Sequence, residues 1–118
     1  MKIAVLDDYQ NAVEKLACNA LLSAHDVRFF TQTMNEDQLA AALQDFDALV
    51  LIRERTEITA SLLARLPNLK LISQTGKVSG HIDVQAATDA GVAIAEGVGD
   101  PTAPAELTWA LIMAAYRK

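Results

Sequence analysis

The side chains able to do chemistry fall into four short clusters: Asp7-Asp8-Tyr9, Arg53-Glu54-Arg55, Gly76-Lys77-Val78 and Glu96-Gly97-Val98-Gly99. Two of them are cationic, Arg53 with Arg55 and then Lys77, in a chain whose ten Lys and Arg are outnumbered by fifteen Asp and Glu. Such cations suit a carboxylate or a phosphate, which gains charge-assisted hydrogen bonds, and a turn opened by Gly76 presents consecutive backbone N–H groups as an anion nest. The same residues also read as a surface ion-pair cluster with a solvated Lys77, and spacing alone weighs the two readings equally. His81 reads as a partner for the Asp83 region rather than a base, and neither His25 nor His81 has a Ser or Cys companion in sequence. Cys18 stands alone. That excludes an internal disulfide and a cluster of Cys zinc ligands, and the expected role is a small buried hydrophobe.

General catalytic motifs are absent. The chain has no G-x-x-x-x-G-K-[ST], no G-x-S-x-G, no paired His at metal-ligand spacing and no G-x-G-x-x-G. Gly97-Val98-Gly99 is a weak match to the last, because Thr102 stands where the third glycine belongs.

The elements that must position these clusters are legible from periodicity. Apolar runs at Lys2–Leu6, Asp26–Phe30, Ala48–Ile52, Lys70–Thr75 and Val92–Ala95 alternate with segments of helical period, the pattern of an α/β domain with a parallel sheet. Asn35 with Gln38 predicts a capping box, Thr59 caps a short helix stopped by Pro67, and Asp83 caps a helix ended by Gly91 in a left-handed conformation. Asn11–Leu22 reads as an amphipathic helix with a break near Asn19. The expectation is a flavodoxin-like, doubly wound, five-stranded parallel sheet in the order 2-1-3-4-5, with helices covering both faces of the central strands. In such a sheet ligands bind beyond the carboxyl ends of the strands, and all four clusters fall there.

Placed so, Asp7-Asp8 invites comparison with the acidic pocket of receiver modules. That chemistry needs an Asp after the third strand, where this chain has Arg53. A cap on the first helix plus a solvated carboxylate is the better account. The first strand also offers no glycine to admit a pyrophosphate, so a dinucleotide is not expected to bind here in the Rossmann manner.

Ala103–Tyr116 is apolar almost all round, with only Glu106 and Thr108 conventionally polar. A long helix of that composition must be buried all round, and one small sheet covers only one face. A second domain or a second subunit is expected on the other, with homo-oligomers formed through this helix.

The 118 residues are 52% hydrophobic and 21% charged, with a formal charge of −5. One domain with a real core is expected, and the acidic balance argues against nucleic acid or anionic membrane surfaces as partners. No apolar stretch approaches the roughly 20 residues needed to cross a bilayer, and Met1-Lys2 runs directly into the first strand without a signal-peptide pattern. A cytoplasmic location is expected.

Arg53-Glu54-Arg55-Thr56, Leu66-Pro67-Asn68-Leu69-Lys70-Leu71-Ile72, Thr75-Gly76, Ile82-Asp83-Val84-Gln85-Ala86-Ala87, Ala90-Gly91-Val92 and Ala105-Glu106-Leu107-Thr108-Trp109-Ala110-Leu111 occur in this order along the chain. Together they resemble the N-terminal portion of D-isomer-specific 2-hydroxyacid dehydrogenases, in particular the phosphoglycerate dehydrogenase-like members with an Arg-Glu-Arg-Thr segment. The resemblance implies that residues 1–118 form a flavodoxin-like substrate-binding domain, and that an NAD-binding Rossmann domain follows Lys118. It implies a small 2-hydroxy or 2-oxo acid as partner, bound through main-chain N–H groups of Gly76-Lys77-Val78; with Arg53 from the neighbouring cationic cluster, the candidate substrate-binding residues are Arg53, Gly76, Lys77 and Val78. The cofactor, NAD or NADP, and the acid-base pair would belong to the part this chain lacks, leaving no catalytic, cofactor-binding or metal-binding residue here. Lys77-Val78-Ser79-Gly80-His81 departs from the usual glycine and Asp-Asn of the family, although a Lys at this position helps to hold the anion in related phosphite dehydrogenases. Pro104 likewise stands where many relatives have Val or Thr. The rival expectation is a freestanding flavodoxin-like anion-binding or receiver-type module.

Overall fold

Runs of Ile, Val and Leu at Lys2–Leu6 (β1), Asp26–Phe29 (β2), Ala48–Ile52 (β3), Leu71–Thr75 (β4) and Ala93–Glu96 (β5) form one sheet in a computed structural model, which describes residues 1–117. Every pairing is parallel and the strand order is β2-β1-β3-β4-β5, as expected. The fifth strand lies one residue later than the sequence predicts, because Val92 turns into the core before the ladder begins.

Helices α1 (Glu36–Leu43), α2 (Ala60–Leu63) and α3 (Val84–Asp89) pack on one face of the sheet. Register places Ala4 beside Leu49 and Leu49 beside Ile72, with Leu6 beside Leu51. These side chains meet Leu39, Leu43, Leu62 and Ala87 in one buried cluster. The opposite face is less covered. Ile3, Val5 and Ala48 are buried there, while Val50, Ile52 and Leu71 are only half-buried.

The reason is the segment after β1. The expected amphipathic helix over Asn11–Leu22 is instead two 3₁₀ segments, Val13–Lys15 and Ala17–Leu22, with no buried residue in either. Leu16 breaks them with an extended backbone (φ −70°, ψ 137°), three residues before the break expected at Asn19. Cys18 is therefore exposed, which corrects the expectation of a buried one.

Local signals act where the sequence places them. Asn35 accepts from the Gln38 N–H while the Gln38 side chain accepts from the Asn35 N–H, closing the capping box. Asp83 accepts from the Ala86 N–H, and Gly91 ends α3 at φ +72°. Thr59 accepts from the Leu62 N–H at 3.0 Å and donates to Glu36 at 2.7 Å, so this one hydroxyl caps α2 and ties it to α1. Thr59→Ala is expected to cost about 1 kcal/mol. Urea unfolding should show this as a lower midpoint with an unchanged slope.

Thr102–Tyr116 forms the last helix, α4, which starts at Pro101 without a side-chain cap. None of its residues is buried. It runs away from the sheet and stretches the molecule to 57 × 31 × 24 Å, with a radius of gyration of 17.0 Å, against about 13.5 Å for a compact chain of this length. The sheet thus covers neither face of α4, one fewer than expected. Among the described residues no helix is long and apolar enough to cross a membrane.

Candidate functional site

A parallel sheet delivers the turns after β1, β3, β4 and β5 to one edge, and three of them adopt backbone conformations that resist ordinary side chains. Asp7 has φ +55°, Arg53 φ +57° and Gly76 φ +117°. The last is open essentially to glycine alone.

Asp7 is not the solvated carboxylate expected. It is 4% exposed, and its carboxylate accepts a short hydrogen bond from the Thr56 hydroxyl. Its carbonyl accepts from Arg55 Nη1 at 2.8 Å, and the Arg55 guanidinium lies 4.7 Å over the Tyr9 ring, a cation–π contact. Arg55 is thereby committed to the β1 turn. Asp8 does behave as a cap, accepting from the Ala12 and Val13 N–H groups at 3.0 and 2.9 Å. Among the described residues no ion pair joins Arg53, Glu54 and Arg55, so the surface ion-pair cluster is not formed.

Arg53 is fixed by its backbone. Its N–H donates to the Thr75 hydroxyl at 3.2 Å, and its carbonyl accepts from Gln74 Nε2 at 2.9 Å. The Arg53 and Gly76 turns therefore sit side by side. Gln74, 2% exposed, is the junction. With its amide nitrogen aimed at a carbonyl, its Oε1 faces His81 Nε2 at 3.1 Å and can only accept. That assigns the proton to Nε2 and leaves Nδ1 to accept from the Ser79 hydroxyl at 2.9 Å. His81 thus partners Gln74 and Ser79 rather than the Asp83 side chain. The far end of the loop is pinned where Ile82 pairs with Ile58, both buried, with the Ile58 N–H donating to the His81 carbonyl.

The neighbouring turn closes on the same loop. The Gly97 N–H donates to the Gly76 carbonyl at 2.8 Å and to that of Gln74 at 3.1 Å. A Cβ on Gly97 would lie 2.9 Å from the Gly76 nitrogen, so only glycine permits the approach. Glu96 then reaches across the loop. One carboxylate oxygen accepts from Lys77 Nζ at 2.5 Å and the other from the Val78 N–H at 2.8 Å. The Lys77 ammonium first, and the Val78 N–H second, hold the Glu96 carboxyl below the usual carboxylate range.

The arrangement is a row of turns, Arg53, Gly76 and Gly97, with an N–H and an ammonium converging on one carboxylate. Two such donors have the chemistry to pair with a carboxylate, and here they hold that of Glu96. Arg53, Gly76, Lys77 and Val78 lie along this row. Sequence reasoning passed over Gln74; it placed Glu96 and Gly97 in the cluster beyond β5 but showed neither the acceptor role of Glu96 nor the close approach that Gly97 permits. Gln74 gave no such signal, since it stands between Ser73 and Thr75 in a run that is polar at this end. Among the described residues no group of three His, Cys, Asp or Glu side chains is placed to hold a metal. The turn after β1 does not fit a dinucleotide, since two buried carboxylates stand where a pyrophosphate would have to approach the backbone.

The model of the D-isomer specific 2-hydroxyacid dehydrogenase catalytic domain matches residues 3–116. This chain belongs to that family. A phosphoglycerate oxidoreductase from Vibrio cholerae, solved by crystallography, is similar to it with a TM-score of 0.87 and 59% identity, over 98% of this chain and 37% of that one. Hydroxypyruvate reductase from Thermotoga maritima is 30% identical over 89% of this chain and 34% of its own length. D-3-phosphoglycerate dehydrogenase from Mycobacterium bovis is 39% identical over 71% of this chain and 16% of its own. The chain therefore spans about a third or less of the length of these relatives.

Proposed function

We propose that the chain is the substrate-binding domain of a nicotinamide-dependent D-2-hydroxyacid dehydrogenase, and that Arg53, Gly76, Lys77 and Val78 hold the carboxylate of a 2-hydroxy or 2-oxo acid. The observation that carries this is the pairing of the Val78 N–H and the Lys77 ammonium on a single carboxylate, in a turn that Gly76 alone can form. NAD or NADP supplies the hydride acceptor when bound. We place it on a Rossmann domain following residue 118, because the turn after β1 does not suit a pyrophosphate. This chain's part is to fix the acid by its charged end, so that the carbon bearing the hydroxyl faces the second domain. Without that domain there is neither a hydride acceptor nor a group to move the hydroxyl proton.

The chain alone is expected to show no NAD affinity by calorimetry and no oxidation of 2-hydroxy acids, whereas the protein extended by the second domain should do both. Micromolar NAD binding by residues 1–118 would sink this division of labour. We also propose that α4 pairs with a second copy of the chain, its other face meeting the second domain.

A further inference from the structure

The carboxylate that marks the site is the protein's own. Glu96 places one oxygen on Lys77 Nζ and the other on the Val78 N–H, so two of the donors proposed for a substrate are engaged from within. Its backbone cannot drift, because β5 is in register with β4 at Gln74 and the following Gly97 N–H is bonded to the Gly76 carbonyl. Its side chain can leave. The Glu96 side chain is 40% exposed and that of Lys77 66%, so rotation about the Glu96 side-chain bonds carries the carboxylate into water without opening the core.

Resting on the carboxylate site proposed above, we infer that Glu96 is an internal competitor for it: a substrate carboxylate binds by displacing the Glu96 carboxylate from the Val78 N–H and the Lys77 ammonium. The exchange sets a specificity rule. An incoming carboxylate restores both the hydrogen bond and the ion pair that Glu96 gives up, so the exchange is close to even. A neutral isostere restores the hydrogen bond and leaves Lys77 without its anion. Glu96 therefore costs every ligand some affinity and costs uncharged ligands most, which is selection by a built-in rival.

The test is nitrogen–proton correlation NMR on the 118-residue chain, titrated with glycolate, the smallest 2-hydroxy acid, and with glycolamide, its neutral isostere. In the wild type, glycolate should move the Val78 and Lys77 amide resonances and glycolamide should not. In Glu96→Gln the glycolate midpoint should fall about fivefold, the upper end for release of an exposed ion pair. Glu96→Ala, which also removes the acceptor, should fall at least as far. Equal glycolate midpoints in all three proteins would overturn the competition and leave the carboxylate site standing. Glycolamide acting on the wild type as strongly as glycolate would overturn it equally. If glycolate moves neither resonance in any of the proteins, the site and the competition fail together.

Discussion

Replacing Gly76 with Val in the proposed two-domain dehydrogenase is expected to lower kcat/KM for a 2-hydroxy acid by about a hundredfold, the scale of a misplacement near 1 Å. The cause is conformational. A Cβ built on Gly76 meets nothing within 4 Å, so no clash opposes the substitution, but its φ of +117° lies where a β-branched residue is strongly disfavoured. Relaxing that angle turns the Gly76 carbonyl away from the Gly97 N–H and rotates the following peptides, which carry the Lys77 and Val78 donors. Lys77→Ala should be far milder and different in kind. It leaves the Val78 N–H in place and removes a charge on a side chain that is 66% exposed, so KM should rise a few-fold with kcat nearly constant, as for a group that binds ground and transition states alike. Steady-state kinetics on both variants decide the matter. Wild-type kcat and KM for Gly76→Val would show that this turn does not hold the substrate.

The contrast between these two positions shows what the sequence made legible. Gly76 was readable because a glycine after an apolar run has few reasons to exist other than its backbone freedom. The caps at Asn35, Thr59 and Asp83 were readable because capping acts over three residues, within the span of a local pattern. The strand order followed from the alternation of strands and helices and from the flavodoxin-like order of a doubly wound sheet. What failed was whatever depends on a distant partner. Asp7 looks like a surface carboxylate until Thr56 and Arg55, nearly fifty residues away, take up its carboxylate and its carbonyl. Glu96 looks like the polar end of a strand until the sheet sets it beside Val78. Asn11–Leu22 has a fair apolar stripe, but Leu16 and Leu21 are 52% and 83% exposed, and a stripe without a surface to meet does not make an α-helix. The end of the chain is equally uncovered, yet it is helical, because its local propensity is higher. There the alanines and leucines of α4 sustain a helix over fifteen residues although nothing covers it.

That uncovered helix carries the other large expected effect. The chain should self-associate through α4, and Trp109→Glu combined with Ile112→Glu should weaken the association about a hundredfold. Trp109, Ile112, Met113 and Tyr116 recur at the spacing of one helix face and are 65%, 52%, 39% and 88% exposed. Leu107 and Leu111, each 62% exposed, lie on a different face. Two apolar faces need two covers, which fits the proposal of one partner from a second copy and another from a following domain. Burying a half-exposed large side chain is worth about 1.5 kcal/mol, so losing two such anchors and burying two carboxylates in their place accounts for the hundredfold estimate as a minimum. Neither side chain is buried in the monomer, so the fold itself should unfold at a nearly unchanged urea midpoint. Sedimentation equilibrium of both proteins checks the association, with Trp109 emission in the wild type moving to shorter wavelength as concentration rises and the indole leaves water. A wild type that sediments as a monomer at the highest soluble concentration, with emission that does not move, would show that a second copy is not what α4 meets, and would leave the adjoining domain to cover both faces.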